Sequence, residues 1–86
     1  MKVIAKLLGI ELSVYETNYF DYHIEIKRGK KLISGASSKH DELKKFINES
    51  VNKLITFKFL SNIISNYLFE KFEQYHKEQV INYLKS

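Results

Sequence analysis

Three residues of metal-ligand type alternate along one stretch of this chain: Asp21, His23 and Glu25. Carboxylates and imidazole bind divalent metals such as zinc, so this spacing raises the question of a metal site. Alternate side chains on a strand stand roughly 6.5 Å apart, and a tetrahedral site would need further ligands from elsewhere in the chain. We therefore interpret the three residues as the polar face of a strand and predict no metal.

Nucleophilic catalysis has no recognisable spacing in the sequence. The serines stand in no Gly-x-Ser-x-Gly context, the chain has no glycine-rich phosphate loop, and it contains no cysteine. We interpret His40 beside Asp41, and His76 near Glu73, as ordinary residues of a helix surface. The sequence therefore predicts a protein that is not an enzyme and that takes no cofactor.

The sharpest chemical signal is a group of cations around one glycine. Lys27, Arg28, Lys30 and Lys31 flank Gly29, and their four charges equal the formal net charge of the chain, +4. Away from this turn, the basic and acidic residues cancel. Four cations on a protruding turn can contact nucleic-acid phosphates or an acidic protein surface. A solvated turn that only keeps the protein soluble explains the same residues, and the sequence leaves both interpretations open.

Tyrosines form a second candidate contact site. Tyr15, Tyr19 and Tyr22 surround the turn that precedes the basic stretch, and we expect Tyr15 and Tyr19 to lie close together on the outer face of a sheet. Tyrosines near cations suit base stacking or a protein hot spot. Cross-strand aromatic pairing that stabilises the sheet is the alternative. The predicted partner-binding residues are Lys27, Arg28, Lys30, Lys31, Tyr15 and Tyr19.

Alternating apolar and polar residues predict the strands that position these side chains. The pattern indicates one strand over residues 10–16, a second over 19–27, and a third that ends near Gly35. Gly29 supplies the positive φ of a tight hairpin. A two-residue loop of Arg28 and Gly29 would pair Ile24 with Ile33, and a three-residue loop would pair Ile24 with Leu32. Residues 2–8 fit either a short helix or a strand, with Gly9 as a helix stop or a bulge.

Helical spacing of apolar residues predicts two helices after Gly35. Ser38 and Asp41 resemble a capping box for the first, whose apolar face comprises Leu43, Phe46, Ile47, Val51, Leu54 and Ile55. A second stripe predicts a long carboxy-terminal helix, with a bend near residues 74–77 as one interpretation; its members are Leu60, Ile63, Ile64, Tyr67, Leu68, Phe72 and Tyr75. Residues 55–59 alternate like a short strand, and Thr56 is the only N-cap that favours a break there.

The predicted architecture is a single α+β domain over residues 1–86, in which a three-stranded antiparallel β-meander precedes two α-helices packed on one face. Phe57, Phe59 and Phe69 do not all fit the core stripe, which indicates a partner or dimer surface. The absence of cysteine favours a reducing cytoplasm, and no apolar run reaches the roughly 20 residues that a bilayer span requires. We therefore expect a cytoplasmic protein that does not bind membranes.

The chain is rich in the amino acids that AT-rich codons encode, such as Lys, Ile, Asn, Tyr and Phe. In size, in this composition and in element order, it resembles small accessory proteins of phages that infect Gram-positive bacteria, including anti-CRISPR proteins. The order is strand, Lys-Arg-Gly-Lys turn, strand, Ser-Ser-capped helix and helix over residues 10–86. The resemblance implies a non-enzymatic inhibitor in the bacterial host cell that covers a surface of a defence nucleoprotein such as a CRISPR effector. Many anti-CRISPR proteins are acidic DNA mimics, and the basic turn departs from that pattern. Direct nucleic-acid binding and a structural homodimer are the alternative hypotheses.

Overall fold

Four antiparallel strands and two helices make up the chain, and the computed structural model describes all 86 residues. The strands are β1 (Lys2–Leu7), β2 (Ile10–Asn18), β3 (Asp21–Arg28) and β4 (Lys31–Lys39), and they lie side by side in chain order. A 3-10 turn (His40–Glu42) leads into the helices α1 (Leu43–Leu54) and α2 (Lys58–Lys85). The α+β class and the order of sheet followed by two helices are confirmed, but the predicted three-stranded meander has a fourth strand.

The additional strand is β1, where the sequence left a helix or a strand open. Gly9 does not form a bulge but lies with Leu8 in the turn before β2, and both residues have positive φ angles of 52° (Leu8) and 80° (Gly9). Positive φ at both central residues is the geometry of a type I′ hairpin turn, whose twist matches that of the strands it joins. The irregularity in register lies instead between Val3 and Ala5.

Both predicted registers of the basic hairpin are wrong, because Ile24 pairs with Ala36. The two residues between the strands are Gly29 and Lys30, and Gly29 does have the predicted positive φ, at 62°. The register shifts by one residue between Ile26 and Lys27, so Ile33 has no partner across the ladder. The third predicted strand also continues past Gly35 to Lys39, because the small residues that follow Gly35 pair with β3.

The two helices cover one face of the sheet, as predicted. Ser38 makes no N-cap for α1 and instead donates a hydrogen bond to the Glu42 carboxylate. Residues 55–57 separate the two helices without forming a strand, and Phe57 rather than Thr56 occupies the N-cap position of α2. Helix α2 then runs without interruption for 28 residues, which at a rise of 1.5 Å per residue is about 42 Å. That length accounts for the longest dimension of the molecule, 43 Å.

The core lies between the inner sheet face and the helices. Its 13 buried apolar residues are Ala5, Ile10, Leu12, Val14, Tyr22, Ile24, Ile26, Leu43, Ile47, Val51, Ile64, Leu68 and Phe72. The predicted stripe of α2 is wrong at its start, because Ser61 and Ser65 are buried while Leu60 and Ile63 are exposed. The two serine hydroxyls donate to carbonyls of their own helix, so their burial leaves no hydroxyl unpaired.

Candidate binding surface

The turn between β3 and β4 presents three free cations. Arg28, Lys30 and Lys31 are exposed and form no ion pair. Lys27, the fourth predicted cation, differs from them because its Nζ lies 3.7 Å from Glu25 Oε1 and its side chain is only 34% exposed. The positive field of the turn therefore comes from three side chains, and Lys27 is partly neutralised on the outer sheet face.

Two contacts place other segments at the same end of the molecule as this turn. The Gly29 N–H donates to the Gly9 carbonyl, with 3.3 Å between N and O, so the turn between β1 and β2 is adjacent. The Ser34 and Ser50 hydroxyls share a hydrogen bond of 2.7 Å, which joins β4 just after its turn to the second half of α1. Helix α1 therefore ends, and α2 begins, at the end of the sheet that carries the basic turn.

Large apolar side chains are exposed in each of these segments. Leu8 is 65% exposed, Phe57 63% and Phe59 66%, and the two phenylalanine ring centroids are 6.5 Å apart. We call this end of the molecule the tip surface; it comprises Leu8, Arg28, Lys30, Lys31, Phe57, Phe59, Leu60 and Ile63. Clustered exposed apolar residues, unlike scattered ones, mark interaction sites. Phe57 and Phe59 thus lie outside the core, whereas Phe69 is half-buried and packs against it.

The two predicted tyrosines do not join the tip surface. Tyr15 pairs across the strands with His23, at 5.3 Å between ring centroids, which is the cross-strand pairing considered as the alternative. Tyr19 lies in the turn between β2 and β3, at the opposite end of the sheet, and its ring contacts Phe20 and Tyr83. The expected proximity of Tyr15 to Tyr19 is wrong, because β2 holds one ring on the outer face while α2 engages the other.

The outer sheet face contains a row of polar contacts that the sequence did not predict. His23 Nδ1 lies 2.6 Å from Ser37 Oγ, and His23 Nε2 lies 3.4 Å from Glu25 Oε2. Serine, histidine and carboxylate follow one another as in a catalytic triad. These contacts lie on the strand face away from the helices, and both clefts of the molecule are elsewhere. No three residues of ligand type lie close enough to hold a metal.

Two histidines predicted to lie on helix surfaces are instead half-buried and stacked. The rings of His40 and His76 are 4.1 Å apart with an interplanar angle of 14°, and His76 Nδ1 lies 2.7 Å from the Tyr22 hydroxyl. Burial lowers the pKa of His76, and the neighbouring His40 lowers it further, while Glu16 and Glu73 oppose the shift. Burial is also the main cause of the raised pKa of Tyr22.

The lowered pKa of His76 predicts a loss of stability in mild acid. The unfolded chain takes up this proton near the ordinary value of 6.5, whereas the folded protein takes it up only at lower pH. The free energy of unfolding should therefore fall as the pH drops below 6.5 toward the folded pKa. We expect denaturant unfolding at pH 7.5 and 5.5 to show this fall, and His76→Gln to reduce it.

The control for that prediction is His23→Gln, on the outer sheet face. The groups that face His76 are Tyr22 from β3, His40 from the 3-10 turn, Glu16 from β2 and Glu73 from α2 itself. Only the difference in the free energy of unfolding between pH 7.5 and pH 5.5 is compared, because His76→Gln also removes the bond to Tyr22. If that difference is the same in His76→Gln as in the parent, another group causes the acid sensitivity.

Comparison with known proteins assigns no family to the chain and no role to its residues. No family model, curated protein or solved structure matches the chain. The roles of its residues therefore follow from its own contacts. Neither helix combines the length and the apolar composition needed to cross a membrane.

Proposed function

We propose that this chain is a non-enzymatic binding protein that attaches through the tip surface to an acidic surface of a protein or nucleoprotein. The observation that carries the proposal is the location of three unpaired cations and five exposed apolar side chains at the same end of the fold. An apolar centre with a charged rim is the composition of a protein interface. The cations steer an anionic partner, and the apolar residues supply the area that is buried.

The apolar residues favour a protein component in the partner over bare nucleic acid. Phe57 and Phe59 can stack on bases, but Leu60 and Ile63 are aliphatic and offer no ring for stacking. An inhibitor of the anti-CRISPR type, which acts in the host cytoplasm by covering a surface of a nucleoprotein effector, would use such a contact. The resemblance in size and element order to such inhibitors supports this part of the proposal.

Direct nucleic-acid binding is the second candidate function, and the three free cations support it. If each neutralises one phosphate, the logarithm of the association constant should fall with log salt at a slope of about −2.7 for a duplex and about −2 for a single strand. Fluorescence anisotropy of a short labelled duplex and of a single strand, from about 50 mM salt upward, measures that slope. Salt-dependent binding that persists without Phe59 and Ile63 would favour this candidate over a protein partner.

A homodimer through the tip surface is disfavoured by charge. A two-fold contact sets the same patch of both copies face to face, so the cations of one copy would meet those of the other. Light scattering of the purified protein tests this point, and a mass twice that of the 10.2 kDa chain would contradict it.

Leu8 gives the proposal independent support, because its backbone is strained. A leucine with a φ of 52° is in the left-handed region, which costs an L-residue about 1–2 kcal/mol. Its side chain is 65% exposed, so core packing does not compensate for that cost. The type I′ turn requires the positive φ but not a leucine, because asparagine or glycine adopts that conformation at lower cost, so the leucine points to a function of its exposed side chain.

We expect Leu8→Asn to stabilise the fold and to weaken partner binding. Asn-Gly is the preferred dipeptide of a type I′ turn, so the substitution should raise the free energy of unfolding by about 0.5–1 kcal/mol. Denaturant unfolding measures that gain, and recovery of the partner measures the loss of the exposed side chain. A stabilised variant that keeps its full partner recovery would remove Leu8 from the tip surface.

A further inference from the structure

A cleft lies at the end of the molecule opposite the tip surface, between the β2–β3 turn and the last turns of α2. Its volume is about 360 Å³, and its apolar lining consists of three aromatic residues, Tyr19, Phe20 and Tyr83. A volume of this size lies within the range of small-molecule sites. The proposed binding at the tip surface makes no use of this cleft.

The three rings stand at steep angles to one another. Ring centroids are 6.1 Å apart for Tyr19 and Phe20, 5.5 Å for Tyr19 and Tyr83, and 5.6 Å for Phe20 and Tyr83, with interplanar angles of 73–88°. These edge-to-face rings line the cleft together, and we call them the aromatic box. A cation seated in the cleft can lie within the roughly 6 Å of a ring centroid that a cation–π contact requires.

Hydrogen bonds hold this arrangement in place. The Tyr19 and Tyr83 hydroxyls are 2.8 Å apart, and the Asn18 side-chain oxygen accepts from the Tyr19 N–H at 2.8 Å. Phe20 has a φ of 54°, a left-handed conformation that is rare for a bulky residue. The turn thus holds an aromatic residue in a strained conformation that places its ring beside the other two.

The charge of the cleft is opposite to that of the protein as a whole. Glu16 is the only charged side chain in its lining, which contains no lysine or arginine. Oε1 of Glu16 accepts from the Phe20 N–H at 3.0 Å, and its other oxygen makes no hydrogen bond or ion pair. An aromatic box beside a carboxylate selects cations with an apolar surface, because ring faces and carboxylate both carry negative potential.

We propose that the cleft formed by Glu16, Tyr19, Phe20 and Tyr83 binds a quaternary ammonium group. Methyl groups spread the charge of such a cation over a surface that fits the ring faces and that costs little to desolvate. Gln79 and Asn82 line the same cleft, and their amide groups can donate and accept hydrogen bonds from the polar remainder of the ligand. The ammonium belongs either to a free choline-like molecule or to a trimethylated lysine of a peptide.

The test titrates the purified protein with four probes, followed by ¹H–¹⁵N NMR. The probes are choline, its neutral carbon isostere 3,3-dimethyl-1-butanol, a peptide with trimethyl-lysine, and the same peptide with unmodified lysine. We expect saturable shifts of the Tyr19, Phe20 and Tyr83 amides, with the cation binding about tenfold more tightly than its neutral isostere. If choline binds more tightly than the methylated peptide, the ammonium group belongs to a free small molecule; if the peptide binds more tightly, it belongs to a methylated lysine.

Substitutions in the cleft test whether the ligand binds in the aromatic box. Tyr83→Leu removes one ring and should weaken choline binding about tenfold, and Glu16→Gln should weaken it while keeping the oxygen that accepts from Phe20. Tyr15→Leu, an exposed aromatic residue on the outer sheet face, is the matched control and should change nothing. Equal affinity for choline and its isostere, shifts located elsewhere, or no saturable shifts would each overturn the proposal.

Discussion

Phe72→Ala is expected to lower the free energy of unfolding by about 3–5 kcal/mol, the usual range for truncating a buried phenylalanine. The Phe72 side chain is fully buried, and its ring contacts those of Tyr22, His40 and Phe69. Its removal leaves a cavity where α2, β3 and the 3-10 turn meet. The free energy of unfolding of a small domain is only about 5–15 kcal/mol in total, so the variant should be partly unfolded near physiological temperature.

Phe59→Ala is the matched control for that result, because the same atoms are removed from a ring that is 66% exposed. We expect its free energy of unfolding to stay within about 0.5 kcal/mol of the parent. Urea unfolding followed by circular dichroism measures both variants under the same conditions. Similar losses for Phe72→Ala and Phe59→Ala would mean that Phe59 is packed, and would remove it from the tip surface.

Neutralising the free cations is expected to have the largest effect on binding. The triple variant Arg28→Ala, Lys30→Ala, Lys31→Ala should weaken partner binding by about 10- to 100-fold, since each exposed ion pair contributes at most about 1 kcal/mol. Most of the loss should appear in the association rate, and the remaining affinity should depend less on salt. Binding kinetics at two salt concentrations measure both effects.

A second triple variant separates position from net charge. Lys39, Lys45 and Lys77 are exposed lysines outside the tip surface, and their replacement by alanine removes the same three charges. We expect this variant to keep the affinity of the parent to within about twofold. Equal losses in the two variants would show that the partner responds to overall charge, and the tip surface would no longer be a defined contact site.

The alternation of apolar residues predicted the central strands correctly. Tyr22, Ile24 and Ile26 are buried, as the pattern over β3 indicates, because side chains of a strand point to opposite faces in turn. Register was not predictable in the same way. It depends on which residues form the turn and on the shift beside Ile26, and neither leaves a clear mark in the sequence.

The candidate sites were predicted only in part, because they combine residues far apart in the chain. The cations around Gly29 were recognisable, since they are adjacent in sequence. The stacking of His40 on His76 and the bond of Ser37 to His23 depend on how α2 and β4 lie against β3. Leu60 and Ile63 had helical spacing suited to the core, yet the orientation of α2 buries Ser61 and Ser65 in their place.

Site-specific photo-cross-linking tests the central claim most directly. Phe59 and Tyr15 are exposed aromatic residues on different surfaces, so each position can accommodate p-benzoylphenylalanine with its additional benzoyl group. In lysate of the cells that naturally express the protein, we predict one discrete adduct from position 59 and none from position 15. The adduct should disappear when Arg28, Lys30 and Lys31 are replaced by alanine. An adduct from position 15 alone, or one from position 59 that survives loss of the three cations, would contradict binding through the tip surface.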